Sequence, residues 1–214
     1  MGQEMVGWRV RRFQDAHVIE HRRLHWVLSS APVGGGWVRT RTVLIRYVPR
    51  DYDSPDPAAD LRVWAQPLGL REPFVGFLTA VLPNRFVGTT EHCGGLTVSV
   101  WATVGLSHAT AAGLSRPVLG SHPGTINLFI AVDQPLHPAA MVNAVITTTE
   151  AKAAVLAQWE VRTPEGWLAT GTPTDAVAVA CPLGTPRIPY AGPATLVGWL
   201  IGRAVRRVLE VACS

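Results

Sequence analysis

Lys152 is the only lysine among the nineteen Lys and Arg residues of this 214-residue chain. A lysine can lose its proton or act as a compact point charge, and an arginine does neither well. One ammonium group in a chain that otherwise uses arginine therefore indicates a chemical role for Lys152. Glu150 lies two positions earlier, and residues two apart on a helix do not face each other. We expect the two side chains on opposite shoulders of a helix, each at the edge of a cleft or reaching solvent.

A second group of polar side chains precedes an apolar run in "GWLATGTPTDAVAV", residues 166–179. Three hydroxyls and a carboxylate stand close together just before a predicted buried strand, from Thr170, Thr172, Thr174 and Asp175. Loops at the ends of sheets are where ligand sites concentrate. A tight turn also explains glycine and threonine locally, through hydroxyl-to-backbone hydrogen bonds. Both interpretations of this segment stay open.

Two weaker candidates for binding are a glycine-rich loop and a polar residue in an apolar strand. Within "LSSAPVGGG", the N–H groups around Ser29, Ser30 and the run Gly34, Gly35 and Gly36 could hold a carboxamide, a carboxylate or a developing oxyanion. The segment is neither a P-loop nor a G-x-S-x-G elbow. Asn127 interrupts the apolar "GTINLF", so its amide is either a satisfied core group or a ligand contact.

Three histidines at a spacing of four raise the question of a metal site. His17, His21 and His25 would share one face of a helix or of a continuous strand. The segment instead predicts two strands joined by a turn, which breaks that geometry, and no HExxH motif is present. The sequence therefore assigns no metal ligands and predicts no required cofactor, and it leaves the need for a metal open.

The bulk composition narrows the class of partner. The net charge of +4 and the pI of about 9.4 come from dispersed arginines, without a helix-turn-helix, zinc-finger or RNP signature. This favours anionic small molecules as partners, with no nucleic acid. Three distant cysteines without a CxxC motif are typical of a reducing cytosol. The chain shows neither a signal peptide nor a membrane-spanning run, so a cytoplasmic protein is expected. The oligomeric state is not predicted.

The elements that must position these residues follow from hydrophobic periodicity. Residues 8–48 predict several strands, and "RDYDSPDPAAD" (50–60) predicts a surface loop. "EPFVGFLTAVL" (72–82) predicts a short helix with Pro73 in its first turn. "LTVSVWATVGL", "GTINLFIAV" and "TDAVAVAC" predict buried strands.

Two long helices are predicted in the second half of the chain. The first runs from Pro138 to about Gln158, and its predicted buried face comprises Val142, Val145, Ile146, Thr149, Ala153 and Leu156. The second runs from about Pro193 to Val211 with one apolar side, and Gly198 and Gly202 would let it approach a neighbouring backbone. The expected fold is a single domain, residues 1–214, of mixed α/β (α+β) character. Mixed sheet layers are covered by two or more long helices.

Six segments taken together resemble a known family. "LSSAPVGGG", "ATVGL", "TINL", "TEAKAAVL", "ATGTPTDAVAV" and "YAGPATLVGWLIGRAV" occur in this order from Leu28 to Val205. They are similar to segments of the adenosylcobinamide amidohydrolases, the CbiZ family. Two features depart from the pattern: His108 follows "ATVGLS" where a small or amide residue is expected, and the N-terminal histidines are not part of it. The first departure could change which corrinoid fits.

The resemblance implies a salvage enzyme for corrinoids (the vitamin B12 ring system). It would hydrolyse the amide between the aminopropanol arm and the corrin side chain of adenosylcobinamide or of a cobamide. The products would be adenosylcobyric acid and aminopropanol, or the phosphate-bearing form of aminopropanol when the substrate is a complete cobamide. For such a reaction Glu150 would be the general base for water and Lys152 the electrostatic stabiliser or acid. Asp175 would orient a partner or bind the leaving aminopropanol. The glycine loop or the 170–174 turn would donate N–H groups to the oxyanion. A threonine nucleophile with Lys152 as base is the second mechanism. A non-catalytic corrinoid- or nucleotide-binding module is the alternative function, and a structural or partner-binding domain the third.

Overall fold

A computed structural model describes residues 4–5, 7–117 and 125–213 of the chain, and these form nine strands and three helices. The strands are β1 (Glu4–Met5), β2 (Trp8–Arg12), β3 (Ala16–Ser29), β4 (Gly36–Tyr47), β5 (Val75–Thr79), β6 (Val87–Cys93), β7 (Leu96–Val104), β8 (Ile126–Val132) and β9 (Ala176–Pro182). The helices are α1 (Pro57–Ala65), α2 (Pro138–Gln158) and α3 (Leu196–Cys213). No helix in the described ranges is long and apolar enough to cross a membrane.

The strands belong to one mixed sheet in which β3 joins two halves. One half has the order β9-β8-β7-β6, and the other contains β1, β2, β4 and β5. Strand β3 pairs with β2 through its first residues and with β9 through its last, so β2 and β9 follow one another along the same edge. The pairs β4–β5 and β8–β9 are parallel, and the other pairs are antiparallel.

The two halves of the sheet pack face to face, with helices on the outside. Alternation along β8 sends Phe129 and Ala131 into the core between the halves, and Leu128 and Ile130 toward α2 and α3. A third cluster packs α1 against the outer face of β3 and β4 through Leu44 and Leu61. The molecule is therefore layered helix, sheet, sheet, helix, which confirms the predicted mixed α/β class.

Helices α2 and α3 cover β6 to β9 as the sequence predicts, with α2 beginning at Pro138. The apolar side predicted for α3 is buried except for Leu196. Salt bridges from Arg203 and Arg207 to the buried Glu91 join α3 to β6. Beneath α2, Cys181 of β9 is fully buried with its Sγ 3.7 Å from the Sδ of Met141, whereas Cys93 is an exposed free thiol.

The face that α2 buries differs from the predicted one. Val142, Ile146 and Thr149 are exposed, and the helix instead packs through its smaller residues. The buried set is Ala140, Met141, Ala144, Thr147, Thr148, Ala151, Lys152, Val155 and Leu156. Apolar residues lie on both sides of α2, so periodicity alone could not choose between the two faces. Small side chains on one of them allow the backbone to approach the sheet closely.

Two other predicted elements are wrong. The helix predicted over 72–82 is replaced by β5, which runs parallel to β4 from Val75 to Thr79. A short apolar run buried on both faces cannot be assigned to helix or strand by periodicity. The predicted loop over 50–60 extends only to Asp56, whose carboxylate accepts from the N–H of Ala59 and caps α1.

The histidine segment forms one strand rather than two. Strand β3 continues through it, and its register with β4 shifts between Glu20 and His25. His17 bonds the Tyr47 hydroxyl at 2.6 Å and stacks on Phe86, whereas His21 and His25 contact each other and Trp8. Within the described ranges no three His, Cys, Asp or Glu side chains are arranged to hold a metal ion.

Candidate active site

Several of the polar residues predicted from the sequence lie at one edge of the folded sheet, where β8 and β9 begin and β5 ends. The side-chain amide of Asn127 donates to the carbonyl of Leu78 at 2.8 Å, which joins β8 to the end of β5. The hydroxyl of Thr125 donates to the carbonyl of Thr174 at 2.8 Å, which joins the entrances of β8 and β9. These contacts bring together segments that are distant in the sequence.

The centre of this edge is an ion pair between Lys152 of α2 and Asp175, the residue before β9. The ammonium Nζ donates to the Oδ2 atom of Asp175, and the two side chains are 8% and 13% exposed. The Oδ1 atom of Asp175 accepts from the Thr172 hydroxyl at 2.5 Å and from the N–H of Ile126 at 2.9 Å. The carboxylate thus links α2, the 170–175 turn and the start of β8.

The space above this ion pair leaves no room for a side chain at Gly171. A Cβ on Gly171 would lie 2.7 Å from the Lys152 Nζ and closer still to the Asp175 carboxylate. Its carbonyl accepts from the N–H of Thr110, so the backbone here is also held from the other side. A glycine in "ATGTPTD" is therefore needed for the ion pair to form under this turn.

A small pocket of about 140 Å³ opens beside the ion pair. Ile126, whose N–H bonds Asp175, lies between two residues that line it, Thr125 and Asn127. The polar lining is completed by Tyr52, Thr79 and Thr174, and the apolar lining is Pro32, Val48, Pro57, Leu78, Ala80 and Ala176.

Tyr52 is the pocket residue with a perturbed acidity. Its hydroxyl donates to Asp60 at 2.7 Å. Burial, followed by this hydrogen bond, raises the pKa of Tyr52. The phenol is therefore a neutral hydrogen-bonding group at physiological pH.

A wider groove of about 600 Å³ adjoins the pocket, and Ala80 lines both. The N–H of Gly105, in the groove, donates to the carbonyl of Thr125, in the pocket, at 2.9 Å. The groove is lined by Arg50, Ala80, Val81, Leu82, Arg85, Val104, Gly105, Leu106, Ser107 and His108. His108, the departure from the family pattern, is thus part of its wall.

The structure brings four of the predicted site residues near Lys152, namely Asn127, Thr172, Thr174 and Asp175. Asn127 and Thr174 line the pocket, and Thr172 bonds Asp175. Thr170 lies nearby and accepts from the N–H of Ala112 at 3.0 Å, so its hydroxyl closes the 107–112 loop.

The serines and glycines of "LSSAPVGGG" make contacts with backbone. Ser30 Oγ accepts from the N–H of Val177 at 3.0 Å, and Ser29 Oγ accepts from the N–H of Ala31 at 3.0 Å. Gly34 has φ +69° and packs against the carbonyl of Phe74, and a Cβ on Gly35 would lie 2.7 Å from the carbonyl of Ala31. Gly36 has φ +77° and begins β4. The structure does not bring these glycines to the pocket lining.

Glu150 lies apart from the ion pair. It is exposed, whereas Lys152 belongs to the buried face of α2. The expectation that the two residues occupy equivalent shoulders is wrong for Lys152, because its ammonium group has a carboxylate partner inside the fold.

Several site residues were missed by sequence reasoning. Tyr52 stands in the Asp/Pro loop, and Thr79 and Thr125 flank strands, so only the three-dimensional pairing reveals them. The Thr148 hydroxyl is buried one helical turn before Lys152, without a hydrogen-bond partner in the described structure. The signal for Thr148 was present, since residues four apart share a helix face.

Comparison with known proteins places the chain in a family. The sequence pattern of the adenosylcobinamide amidohydrolase (CbiZ) family matches residues 3–214. The adenosylcobinamide amidohydrolase of Methanosarcina mazei is 30% identical over 185 residues, which cover 82% of this chain and 84% of that protein. The protein of the same name from Halobacterium salinarum is 33% identical over 190 residues, covering 83% and 76%.

A solved structure supports the fold. The PH0078 protein from Pyrococcus horikoshii OT3 superimposes with a TM-score of 0.52 at 11% sequence identity, covering 99% of this chain and 80% of that one. At this identity the likeness concerns the fold alone. Family membership rests on the sequence matches, which span the ion pair, the pocket and the groove. The chain belongs to the adenosylcobinamide amidohydrolase family.

Proposed function

We propose that this protein hydrolyses the amide between the aminopropanol arm and the corrin side chain of adenosylcobinamide, in the salvage of cobamides. Water adds across the C–N bond, giving adenosylcobyric acid and free aminopropanol. The family match and the two related hydrolases support the substrate. The observation that carries the site is the hydroxyl–carboxylate–ammonium cluster of Thr172, Asp175 and Lys152 next to a pocket.

The size of the pocket suits the arm rather than the whole corrinoid. Its volume of about 140 Å³ is well below the roughly 300–1,000 Å³ of sites that enclose drug-sized ligands. The aminopropanol arm would enter it, while the corrin ring stays outside. The hydroxyls of Thr79, Thr125 and Thr174 and the amide of Asn127 provide polar groups for an amide and an alcohol.

Thr172 is the proposed nucleophile. Its hydroxyl already donates to Asp175 at 2.5 Å, the arrangement expected of a nucleophile and its base. The Thr172 Oγ bonds to the amide carbon as its proton passes to Asp175. The tetrahedral intermediate then collapses, the C–N bond breaks, and the departing nitrogen takes up a proton. Water hydrolyses the resulting ester and restores the threonine.

Lys152 supplies positive charge to this reaction. An ammonium group has three N–H donors, and one of them is used by Asp175. The others are available to the oxyanion or to the leaving amine. In a site with little water such a charge stabilises an oxyanion more strongly than in solution. The proposed chemistry uses side chains alone and requires no cofactor.

Direct attack by water is the second route, and it was the first choice from the sequence, with Glu150 as base. The exposure of Glu150 gives that role no support, whereas Asp175 could accept the proton of a water held by Thr172. The two routes differ in one observable. Only the Thr172 route forms a covalent ester between the protein and the corrin acid.

The first experiment is mass spectrometry of the purified protein after incubation with adenosylcobinamide. We expect adenosylcobyric acid and aminopropanol, and after rapid acid quenching a protein species heavier by one corrin acyl group. Thr172→Ala should abolish both products, and Thr172→Ser should retain part of the activity because it keeps the hydroxyl. Binding without turnover would make the protein a corrinoid carrier, and no binding would contradict the proposal.

The site of action in the cell is also a proposal. Cys93 and Cys181 are free thiols, which is usual in a reducing compartment. We propose that the enzyme works in the cytoplasm.

A further inference from the structure

The groove beside the pocket carries positive charge that hydrolysis of a neutral arm does not need. We propose that Arg50, Arg85 and His108 form a subsite for a phosphate group esterified to the hydroxyl of the aminopropanol arm, so that these residues set the preference for phosphate-bearing corrinoids. This inference rests on the proposed function, because it assigns the groove to the part of the arm that lies beyond the scissile amide.

The position of the groove supports this assignment. Pocket and groove share Ala80 in their linings, and the Gly105–Thr125 backbone hydrogen bond joins the wall of one to the wall of the other. The pocket has room for a short arm but none for a nucleotide as well. A group attached to the outer end of the arm must therefore leave the pocket, and the groove of about 600 Å³ adjoins it.

Among the described residues, the two arginines of the groove have no acidic partner. Arg50 follows β4, and Arg85 follows β5 in a short 3-10 turn (Pro83–Arg85). Both are exposed, and within the described ranges neither forms a side-chain hydrogen bond or a salt bridge. Among the residues that the structure describes, no Asp or Glu side chain lines the groove. Five arginines elsewhere form salt bridges with acidic residues of the fold, namely Arg11, Arg46, Arg62, Arg203 and Arg207.

Together with Lys152, which pairs with Asp175, these five arginines make six basic side chains that are neutralised within the fold. The arginines of the groove differ from them in having no carboxylate partner within residues 4–5, 7–117 and 125–213.

Hydrogen-bond donors complete the subsite on the β7 side. His108 Nδ1 lies 3.1 Å from the Ser107 hydroxyl, and both residues line the groove. Guanidinium groups bind phosphate oxygens through paired N–H donors, and hydroxyl and imidazole groups add single bonds. The aminopropanol arm is neutral up to its hydroxyl, so a phosphate ester there is the chemical change that this groove would recognise.

The experiment compares three substrates that differ only beyond the arm. These are adenosylcobinamide, adenosylcobinamide phosphate (a monoester) and a complete cobamide (a diester that carries the lower ligand). kcat and KM are measured for the wild-type protein, for the double variant Arg50→Gln/Arg85→Gln, and for Arg71→Gln, an exposed arginine outside the groove, as the matched control. Circular dichroism of each variant checks that it is folded.

The expected result is a loss of selectivity in the double variant. The ratio of kcat/KM for the phosphate-bearing substrates to kcat/KM for adenosylcobinamide should fall at least about tenfold, mainly through KM, because charge-assisted hydrogen bonds are lost. Arg71→Gln should leave the ratio unchanged. If only the monoester ratio falls, the subsite serves the phosphorylated arm, and if both fall it also accepts the diester. An unchanged ratio, or an equal loss for all three substrates, would overturn the proposal.

Failure of the proposed hydrolysis would be recognised separately. Binding of adenosylcobinamide and of its phosphate to the wild-type protein is measured by the change in corrinoid absorbance. Tighter binding of the phosphate form without turnover, abolished in the double variant, would contradict hydrolysis but retain the subsite. Equal affinity for the two ligands would overturn the subsite even if both are hydrolysed.

Discussion

The single lysine of the chain carries a buried positive charge, and the compact shape of its ammonium group suits the space around it. The Lys152 ammonium lies under Gly171 and against Asp175, where there is room for a point charge but not for a planar guanidinium group. This explains why arginine, used at every other basic position, does not replace it.

Lys152→Arg should therefore lose most of the activity while the protein still folds. We expect kcat/KM for adenosylcobinamide to fall at least about 100-fold, because the charge moves away from the reacting atoms. Overpacking should lower the free energy of unfolding by about 1–3 kcal/mol. Glu150→Gln, on the exposed side of the same helix, is the control and should keep near-normal kcat/KM. Normal turnover by Lys152→Arg would show that the lysine is incidental.

Gly171→Ala tests the same site without removing a charged group. The added methyl group would meet the ammonium and the carboxylate, so the ion pair must separate or the turn must move. We expect a cost of about 1–3 kcal/mol in the free energy of unfolding and at least a tenfold lower kcat/KM. Gly192→Ala is the control, since a Cβ there meets open space. Urea unfolding and the product assay measure the two effects. Equal behaviour of the two variants would contradict the packing argument.

Residue types predicted part of this site. Lys152, Asp175, Thr172, Thr174 and Asn127 were identified because their chemistry is unusual for their positions in the sequence. Glu150 was grouped with Lys152 because periodicity alone does not reveal which face of α2 is buried. Tyr52, Thr79 and the arginines of the groove carry no local signal. They belong to the site only because β5 ends where β8 and β9 begin, and that pairing is a long-range property.

The elements of the fold were predicted best where the segment is long enough to show its periodicity. Helix α2 and the strands β7, β8 and β9 match the predicted segments. Strand β5 was predicted as a helix because a five-residue run with four buried residues shows no period. The two glycines of α3 were given the same role, but the structure separates them. A Cβ on Gly198 would lie 2.6 Å from the carbonyl of Ala191, and a Cβ on Gly202 would meet nothing within 4 Å.

Alanine at these two positions should change stability in opposite directions. Gly198→Ala forces α3 away from the 191–192 backbone and should lower the free energy of unfolding by about 1–3 kcal/mol or more. Gly202→Ala should raise it by about 0.5–1 kcal/mol, since alanine restricts the unfolded chain and suits a helix. Chemical denaturation of the two variants under one set of conditions provides the comparison. A stabilised Gly198→Ala variant would mean that the close contact is not required.

At the scale of the whole molecule, the site is assembled from both halves of the sheet. The pocket is lined from the loop after β4, the end of β5 and the starts of β8 and β9, so it exists only when the two halves are packed together. The buried His17 and His25 contact Tyr47 and Trp8 of the core between the halves, and this links the stability of the sandwich to pH.

Stability should fall as the pH drops from about 6.5 to about 4. Burial lowers the pKa of His17 and of His25 from 6.5 to about 4 in the folded protein. Between these values the unfolded chain binds protons that the folded chain does not, so acid favours unfolding, and above about 6.5 the term is constant. Urea midpoints measured across this range should show the slope, and the His17→Gln/His25→Gln variant should flatten it. A wild-type midpoint independent of pH would contradict the assignment.

The two described cysteines allow the opening of α2 to be measured as a rate of thiol modification. Cys93 is open to a thiol reagent in the native protein, whereas Cys181 is covered by α2 through Met141. Burial also raises the pKa of the Cys181 thiol, which favours the protonated form of the thiol over the reactive thiolate. A reagent should therefore modify Cys93 at once and Cys181 only during moments when α2 has lifted from β9. The rate at Cys181 would therefore report how often the first turns of α2, around Met141, separate from β9.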